Sequence, residues 1–315
     1  MTTTTAAAPA LRAAGLRKSF GAKVVLDGID LAIEPGTLFA LLGPNGAGKT
    51  TTVQIFSTLL RPDAGTAHVA GIDVTADPAA VRAAIGVTGQ FSAVDNLLTG
   101  RKNLLLMADL HHLRRRDGRR AAAELLERFD LSDAAGQLVA TFSGGMRRRL
   151  DLAMTLIGQP RIIFLDEPTA GLDPRSRRTM REIISSLLGN GITIFLTTQY
   201  LEEADQIADQ VAVLDHGAIV AQGPPDELKR RIPGGHARLT FGDAASLAAA
   251  AAVLDDATGA DEDSLALRVP ADDSPAGLEF LLDRLRRNNL RAERITLHTP
   301  DLDDVFFALT SSSRG

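Results

Sequence analysis

The stretch Gly43–Thr50 constrains this chain more than any other, because it matches the phosphate-binding pattern G-x-x-x-x-G-K-[ST]. It lies between the apolar run Leu38–Leu42, a predicted strand, and Thr51–Phe56, a predicted helix start. Glycines let backbone N–H groups turn inward around a phosphate, and a helix N-terminus adds partial positive charge. Lys49 is expected to reach the β- and γ-phosphates of a nucleotide, and Thr50 to hold Mg²⁺. The residues expected to bind the nucleotide here are Gly43, Asn45, Gly46, Gly48, Lys49, Thr50 and Thr51.

A second candidate element is the apolar run Arg161–Leu165, which ends in the carboxylates Asp166 and Glu167. Asp166 at a strand end can hold Mg²⁺ through water, as the second acidic element of P-loop enzymes does. Glu167 points the other way and could orient or deprotonate an attacking water. An Asp-Glu pair could also simply cap a strand end, but its place downstream of the phosphate loop favours the metal and base roles.

Two further features suggest contacts with a nucleotide. Ser143, Gly144 and Gly145 form a turn that opens a predicted helix, and such a turn can bind an anion. Phe20 could stack on adenine, because the base needs a flat apolar partner. Packing in the core is the simpler explanation of an isolated phenylalanine.

Predicted strands alternate with helices through most of the chain, which indicates a mostly parallel sheet covered on both faces. Leu11–Ile33 instead has the pattern of short strands joined by turns. The composition shifts near Pro233, and the acidic stretch Asp255–Asp263 beyond it is expected to be a loop. We predict a flexible tail at residues 1–10, a nucleotide-binding domain at 11–232 with a helical insert at about 91–157, and a small α+β domain at 233–315.

Composition excludes several classes of protein. The net charge is −5, which argues against a protein that coats nucleic acid, and we expect no nucleic-acid partner. There is no cysteine, so a disulfide framework and a thiolate metal site are both excluded. No apolar run approaches the roughly 20 residues that a membrane-spanning helix needs.

Together these motifs resemble the ATP-binding cassette (ABC) ATPases over about Leu11–Leu228. Many nucleotide hydrolases share the P-loop, whereas the order of P-loop, strand-end Gln90, Ser-Gly-Gly turn and Asp-Glu strand is specific to this family. The resemblance implies an α/β fold: an ABC ATPase domain with a mostly parallel sheet, an antiparallel β subdomain and a helical insert, followed by the small α+β domain. It also implies ATP and Mg²⁺ as ligands.

The resemblance assigns roles to single residues. Phe20 would stack on adenine, and Gln90 would sense the Mg²⁺ and the γ-phosphate as a metal ligand and catalytic residue. Asp166 would be the second acidic metal element, beside Thr50, and Glu167 the catalytic base.

The resemblance also implies that one chain cannot complete a site. Ser143, Gly144 and Gly145 would contact the γ-phosphate of ATP held by a second copy, and Asp173 would cross to that copy. A head-to-tail dimer is therefore implied. The helical insert resembles the subdomain that docks on a transporter's separate membrane permease.

Within the family, the chain looks most like the ATP-binding subunits of the daunorubicin/doxorubicin resistance exporters, through Val87–Gln90, Leu196–Asp205 and Asp304–Thr310. This implies a bacterial protein, peripheral on the cytoplasmic face of the cell membrane, that powers drug efflux. Export of a lipid or polysaccharide is an alternative within the same class. Relatives that act on DNA carry long coiled-coil insertions, and those that act on ribosomes carry two cassettes; this sequence has neither.

Two positions depart from the family pattern. Most of the superfamily has a switch histidine where this chain has Gln199, which joins Glu167 and Gln90 as a catalytic candidate. Glutamine can donate a hydrogen bond to the γ-phosphate but cannot become a cation near neutral pH, so hydrolysis is expected to be slower or differently pH-dependent. Met146 replaces the glutamine often found after Ser-Gly-Gly, and either packing or phosphate contact remains open for it.

Overall fold

The computed structural model describes residues 8–89, 93–231, 235–254, 256–257, 259–261, 264–271, 275–298 and 301–311. The predicted site residue Gln90, residues 1–7 of the predicted tail, and the predicted domain boundary at residues 232 and 233 lie outside the described residues. The chain divides into two compact units, one ending at Pro225 and the other beginning at Asp226. Each unit has a hydrophobic core of its own.

The first unit contains two sheets with helices between their strands. Its strands are β1 (Leu11–Phe20), β2 (Lys23–Ile33), β3 (Leu38–Leu42), β4 (Ala64–Val69), β5 (Ile72–Asp73), β6 (Ile85–Thr88), β7 (Ile162–Asp166), β8 (Thr193–Thr198), β9 (Gln210–Asp215) and β10 (Ala218–Gly223). Its helices are α1 (Lys49–Phe56), α2 (Pro78–Ala84), α3 (Gly100–Leu110), α4 (Arg115–Arg128), α5 (Gly144–Thr155), α6 (Pro174–Gly189) and α7 (Leu201–Ile207).

The larger sheet has the strand order β10-β9-β3-β8-β7-β6. Strands β9, β3, β8, β7 and β6 run parallel, and only β10 pairs antiparallel, with β9. Every residue of β3, β7 and β8 is buried, as expected for parallel strands covered on both faces. The smaller sheet, β2-β1-β4-β5, is antiparallel throughout. Both sheets were predicted, and both are present.

Four phenylalanines join α1 to the larger sheet. The rings of Phe164 and Phe195, on neighbouring strands, contact Phe56 of α1 at centroid distances of 6.2 and 6.0 Å. Phe195 also contacts Phe39 of β3 at 5.4 Å and Phe164 at 5.5 Å. All four side chains are fully buried. Burying a side chain of this size away from water contributes about 1.5–3 kcal/mol to the stability of the fold. This cluster therefore anchors the helix that follows the phosphate loop.

The predicted helical insert contains α3, α4 and α5. Thr99 caps α3 by accepting a hydrogen bond from the N–H of Lys102 at 3.2 Å, and Ser143 caps α5 in the same way. Helix α2 was not predicted, although Asp77 caps it and Pro78 occupies its first turn, which is a recognisable start signal.

The second unit is a four-stranded antiparallel sheet in the order β12-β13-β11-β14, with helices packed on its core. The prediction of a loop over residues 255–263 was wrong for β12, because this edge strand pairs through its backbone with β13 and its side chains are exposed. From Pro225 onward the elements are α8 (Pro225–Arg231), β11 (His236–Thr240), α9 (Ala244–Val253), β12 (Gly259–Asp261), β13 (Ala266–Pro270), α10 (Pro275–Arg287), β14 (Arg294–His298) and α11 (Leu302–Ser311).

Across the described part of the chain, none of the helices combines the length and the apolar character required to traverse a bilayer.

Candidate functional site

The candidate site lies at one edge of the larger sheet, where parallel strands end side by side. Leu42 of β3 pairs with Thr198 of β8, and Asp166 of β7 pairs with Thr197. The phosphate loop, Glu167 and Gln199 each follow directly after one of these strand ends. Ligands of open parallel sheets bind outside the carboxyl ends of the strands, so three segments distant in sequence meet at one cleft.

The backbone of the phosphate loop requires glycine at two positions. Gly43 has φ 158°, and a Cβ placed there would lie 2.3 Å from the carbonyl oxygen of Leu214. Gly48 has φ 114°, and a Cβ there would lie 2.6 Å from Cδ2 of Leu26 and 2.9 Å from the carbonyl oxygen of Val25. Neither position has room for a side chain, which explains why both are glycine.

Lys49, the first residue of α1, folds its side chain back over the loop. Its Nζ donates to the carbonyl oxygens of Gly43 and Pro44 at 2.7 and 3.1 Å, and only 6% of the residue is exposed. Burial lowers the pKa of the Lys49 ammonium, and the nearby carboxylates Glu167 and Asp166 oppose that shift. The ammonium is thus held at the loop, beside two carboxylates.

Asp166 is buried and accepts hydrogen bonds from hydroxyls on two different segments. Thr197 Oγ1 donates to Oδ1, and Thr50 Oγ1 donates to Oδ2 at 3.2 Å. A hydroxyl and a carboxylate at this distance are the oxygen donors that Mg²⁺ prefers, so the residues present fit that ion. Thr197 was missed in the sequence, because its role depends on which strand lies next to β7.

Glu167 has a backbone conformation that is unusual for a residue with a side chain. Its φ is 50°, in the left-handed region, and its N–H donates to the carbonyl oxygen of Thr197 at 3.0 Å. Such a conformation costs about 1–3 kcal/mol and persists only where neighbouring structure holds it. It turns the side chain of Glu167 out of the sheet and into the cleft.

The cleft has a volume of about 480 Å³. Most residues predicted for nucleotide binding at the loop line it, together with both Glu167 and Gln199, and Lys23 and Val25 of β2 add a wall that was not predicted. The lining residues are Lys23, Val25, Asn45, Gly46, Gly48, Lys49, Thr50, Thr51, Glu167 and Gln199.

Phe20 lies at the end of β1, and 51% of its surface is exposed, which excludes the alternative of core packing. Phe20 pairs with Lys23, one of the lining residues, across the β1–β2 turn. Phe20 is thus the strand partner of a lining residue but is not itself among the described residues that line the cleft.

The predicted Ser-Gly-Gly turn and Asp173 are brought together, but not at the cleft. Ser143 and Gly144 are exposed at the start of α5, and a Cβ on Gly145 would lie 2.5 Å from Oγ of Ser176. The carboxylate of Asp173 caps α6 by accepting from both the N–H and the hydroxyl of Ser176, and these bonds lower the pKa of Asp173. None of these four predicted residues is among those that line the cleft in the described chain.

A buried ion pair on α5 was also missed. Arg148 lies within the run Arg147–Arg149, which resembles a solvated face, yet only 14% of its side chain is exposed, and 4% of that of Asp151. The sequence signal was Asp151, which lies in the otherwise apolar helical run Leu150–Met154, all of which is buried. A carboxylate buried in such a run needs a charged or hydrogen-bonding partner.

Comparisons with known proteins agree with this arrangement. The sequence model of the family described as "ABC transporter" matches residues 26–170. The chain is 49% identical over 302 residues to a daunorubicin resistance ATP-binding protein of Streptomyces coeruleorubidus, covering 95% of each chain. It is 46% identical over 305 residues to a daunorubicin/doxorubicin resistance ATP-binding protein of Streptomyces peucetius, covering 96% of this chain and 92% of that one. A solved ATP-binding subunit of an ABC transporter superposes with a TM-score of 0.64 at 27% identity, over 70% of this chain and 92% of the other.

Proposed function

The chain belongs to the ABC transporter family and is an ATPase of that family, and on this premise we propose that it powers efflux of a drug such as daunorubicin or doxorubicin. It would act as a dimer bound to a separate membrane permease, on the cytoplasmic face of the cell membrane. The full-length similarity to resistance proteins supports drug export, since the match includes the second unit as well as the ATPase unit.

One observation carries the proposal of a dimer: the cleft of a single chain is incomplete. It contains the phosphate loop, Glu167 and Gln199, but neither the Ser143–Gly145 turn nor Asp173 lines it in the described chain. Ser143 and Gly144 of that turn are exposed at the N-terminus of α5, where backbone N–H groups and the helix dipole favour an anion. A second copy arranged head to tail would bring its turn against the γ-phosphate in the first cleft.

The chemistry of the proposed reaction depends mainly on positioning and charge. The N–H groups of the loop would hold the phosphates, and the Lys49 ammonium would move from the carbonyls of Gly43 and Pro44 to the β- and γ-phosphates. Thr50 and Asp166 would hold Mg²⁺, which neutralises phosphate charge when it is bound.

Glu167 would orient a water for in-line attack on the γ-phosphate and accept its proton. Gln199, across the cleft, would donate a hydrogen bond to the γ-phosphate through its side-chain amide. Loss of the γ-phosphate would remove the contacts that join the two copies, and the dimer would open.

Contact with a permease is supported by exposed apolar side chains on the helical insert. Leu97 and Leu138 are 84% and 49% exposed, and they lie on adjoining segments, because Val139 N–H donates to the carbonyl oxygen of Leu98 at 3.0 Å. Exposed apolar side chains grouped in this way are typical of protein interfaces. The net charge of −5 does not favour a nucleic-acid partner.

The dimer is tested with the Glu167→Gln variant in Mg-ATP. The variant should bind ATP but not hydrolyse it, so that a stable dimer accumulates in size-exclusion chromatography. Glu182→Gln is a matched control, because Glu182 is exposed on α6 and pairs only with Arg178 among the described contacts. Full turnover in Glu167→Gln would overturn the assignment of the base, and a monomer in ATP would overturn the dimer.

The export function is tested by purification of the tagged chain from mildly solubilised native membranes. Recovery of a multispanning protein in near-equal amount, whose reconstituted complex hydrolyses ATP faster with daunorubicin, would support drug export. Stimulation by a lipid-linked sugar instead would favour the lipid or polysaccharide class. Recovery with ribosomes or DNA would contradict transport.

A further inference from the structure

Arg148 of α5 reaches the end of β7 and binds its backbone. Its Nη2 donates to the carbonyl oxygens of Asp166 and Glu167 at 3.0 and 3.2 Å, and its Nε donates to that of Pro168 at 3.0 Å. Its Nη1 donates to the carbonyl oxygen of Gly89 at 3.0 Å. One guanidinium thus contacts three consecutive carbonyls and a fourth on a neighbouring strand end.

These contacts determine the direction of the Glu167 side chain. The carbonyl of Asp166 belongs to the peptide plane before the Cα of Glu167, and the carbonyl of Glu167 belongs to the plane after it. When both planes are fixed, φ and ψ of Glu167 are fixed, and so is the direction of its Cα–Cβ bond. This matters for Glu167 because its φ is 50°, an unfavourable backbone conformation that persists only where contacts with neighbouring groups hold it.

The guanidinium is itself held in place by Asp151, one turn further along α5. Nη1 of Arg148 lies 3.5 Å from Oδ2 of Asp151, and Oδ1 of Asp151 accepts from the N–H of Ala93 at 3.1 Å. Burial lowers the pKa of Arg148, and the carboxylates of Asp151 and Asp166 oppose that shift. An arginine side chain stays protonated in proteins, so the guanidinium keeps all of its N–H donors.

We propose that Arg148 is a positioning residue for ATP hydrolysis, which holds the backbone of Glu167 so that its carboxylate faces the attacking water. The inference rests on the proposed role of Glu167 as the base. Arg148 is not among the described residues that line the cleft, so it should act on the rate of the chemical step and not on nucleotide binding.

The test compares Arg148→Lys and Arg148→Gln with the unaltered chain in steady-state ATP hydrolysis. Lysine keeps the charge, but one ammonium cannot span three carbonyls as the planar fork does. We therefore expect kcat to fall about 10- to 100-fold in both variants, since small misplacements of catalytic groups have effects of that size. The KM for ATP, and binding of a fluorescent ATP analogue, should change by less than about threefold.

Arg149→Lys is the matched control, because Arg149 is a neighbour of similar burial whose Nη1 binds the carbonyl of Phe129 and the carboxylate of Asp130 instead. It should lower thermal stability while kcat stays within about threefold. Should the Arg148 variants fail to fold, Asp151→Asn decides the question. It keeps an acceptor for Ala93 but removes the countercharge, and should lower kcat about three- to tenfold at unchanged KM.

A double variant separates this proposal from the assignment of the base. If Arg148 acts through Glu167, Arg148→Gln should not slow the residual hydrolysis of Glu167→Gln any further. Wild-type kcat in Arg148→Lys, or a raised KM at unchanged kcat, would overturn the positioning role. Full turnover in Glu167→Gln would instead overturn the proposed base, whatever the Arg148 variants show.

Discussion

Thr169 and Glu203 form a buried hydrogen bond close to the site, and it gives a stability prediction with a defined pH dependence. Thr169 Oγ1 donates to Oε2 of Glu203 at 2.5 Å, and the two residues are 2% and 7% exposed. No donor reaches Oε1 of Glu203 in the described structure. Burial raises the pKa of Glu203, and the bond from Thr169 opposes that shift.

The perturbation is Thr169→Val, which removes the donor at nearly constant volume. A hydrogen bond to a charged group contributes about 1.5–3 kcal/mol, and one between neutral groups about 0.5–1.5 kcal/mol. We therefore expect the substitution to lower the unfolding free energy by more at the alkaline end of the pH range, where Glu203 is more ionised, than at the acidic end.

Proton linkage gives the direction in which stability changes with pH. The pKa of Glu203 is raised in the folded chain, so Glu203 binds its proton more tightly there than in the unfolded chain. Its contribution to stability is therefore complete below the ordinary pKa of 4.5. That contribution is lost as the pH rises through the raised pKa of the folded chain. Thr169→Val raises that pKa further, since it removes an interaction that lowers it. The variant should therefore lose more stability than wild type over this window.

The assay is urea unfolding of the nucleotide-free protein between pH 5 and 8.5. Thr169→Ser keeps the donor and should follow wild type. Thr193→Val is the matched control, because the buried Thr193 hydroxyl accepts from the N–H of Gly36 at 2.9 Å and has no carboxylate partner among the described residues, so the loss of stability should not vary with pH. An equal Thr169→Val penalty at both ends of the range would refute the reasoning.

Three further predictions concern the cleft. Lys49→Ala should weaken binding of an ATP analogue about 10- to 100-fold in a fluorescence titration, because a charge-assisted contact with phosphate is lost. Gly48→Ala should lower the free energy of unfolding in urea by about 2–6 kcal/mol, because it adds backbone strain at a positive φ and an overlap of the new Cβ with its neighbours. Gly46→Ala has no atom within 4 Å of its new Cβ, so it should show the cost of backbone strain alone. Gln199→His should give kcat a new pH dependence near pH 6–7, where histidine titrates; an unchanged pH profile would contradict a role for Gln199 at the γ-phosphate.

Most of the local structure could be predicted from the sequence. The strands and helices around the phosphate loop carry strong periodicity, and the apolar runs before Gly43 and Asp166 are buried strands, as expected. Helix α2 and the edge strand β12 were missed, the first because a start signal was overlooked. The second could not be recognised, since β12 is held by backbone pairing that leaves no side-chain pattern.

The phosphate loop and the Asp-Glu strand end were readable because their chemistry lies within a few consecutive residues. Thr197, Lys23 and Arg148 could not be read in the same way. Each matters through residues that lie far away in sequence: Thr197 binds Asp166, Lys23 lines the cleft with the phosphate loop, and Arg148 binds the carbonyls around Glu167.

The sequence by itself therefore determined which groups of this protein are the candidates for binding a nucleotide, since residue type and spacing along the chain carry that chemistry. The tertiary structure alone decided which of them meet. The order of strands in the parallel sheet places Glu167 and Gln199 at one cleft, while the Ser143–Gly145 turn lies at the start of α5 and outside the cleft lining. The physical reason is that pairing between distant strands, and not local propensity, determines which side chains become neighbours.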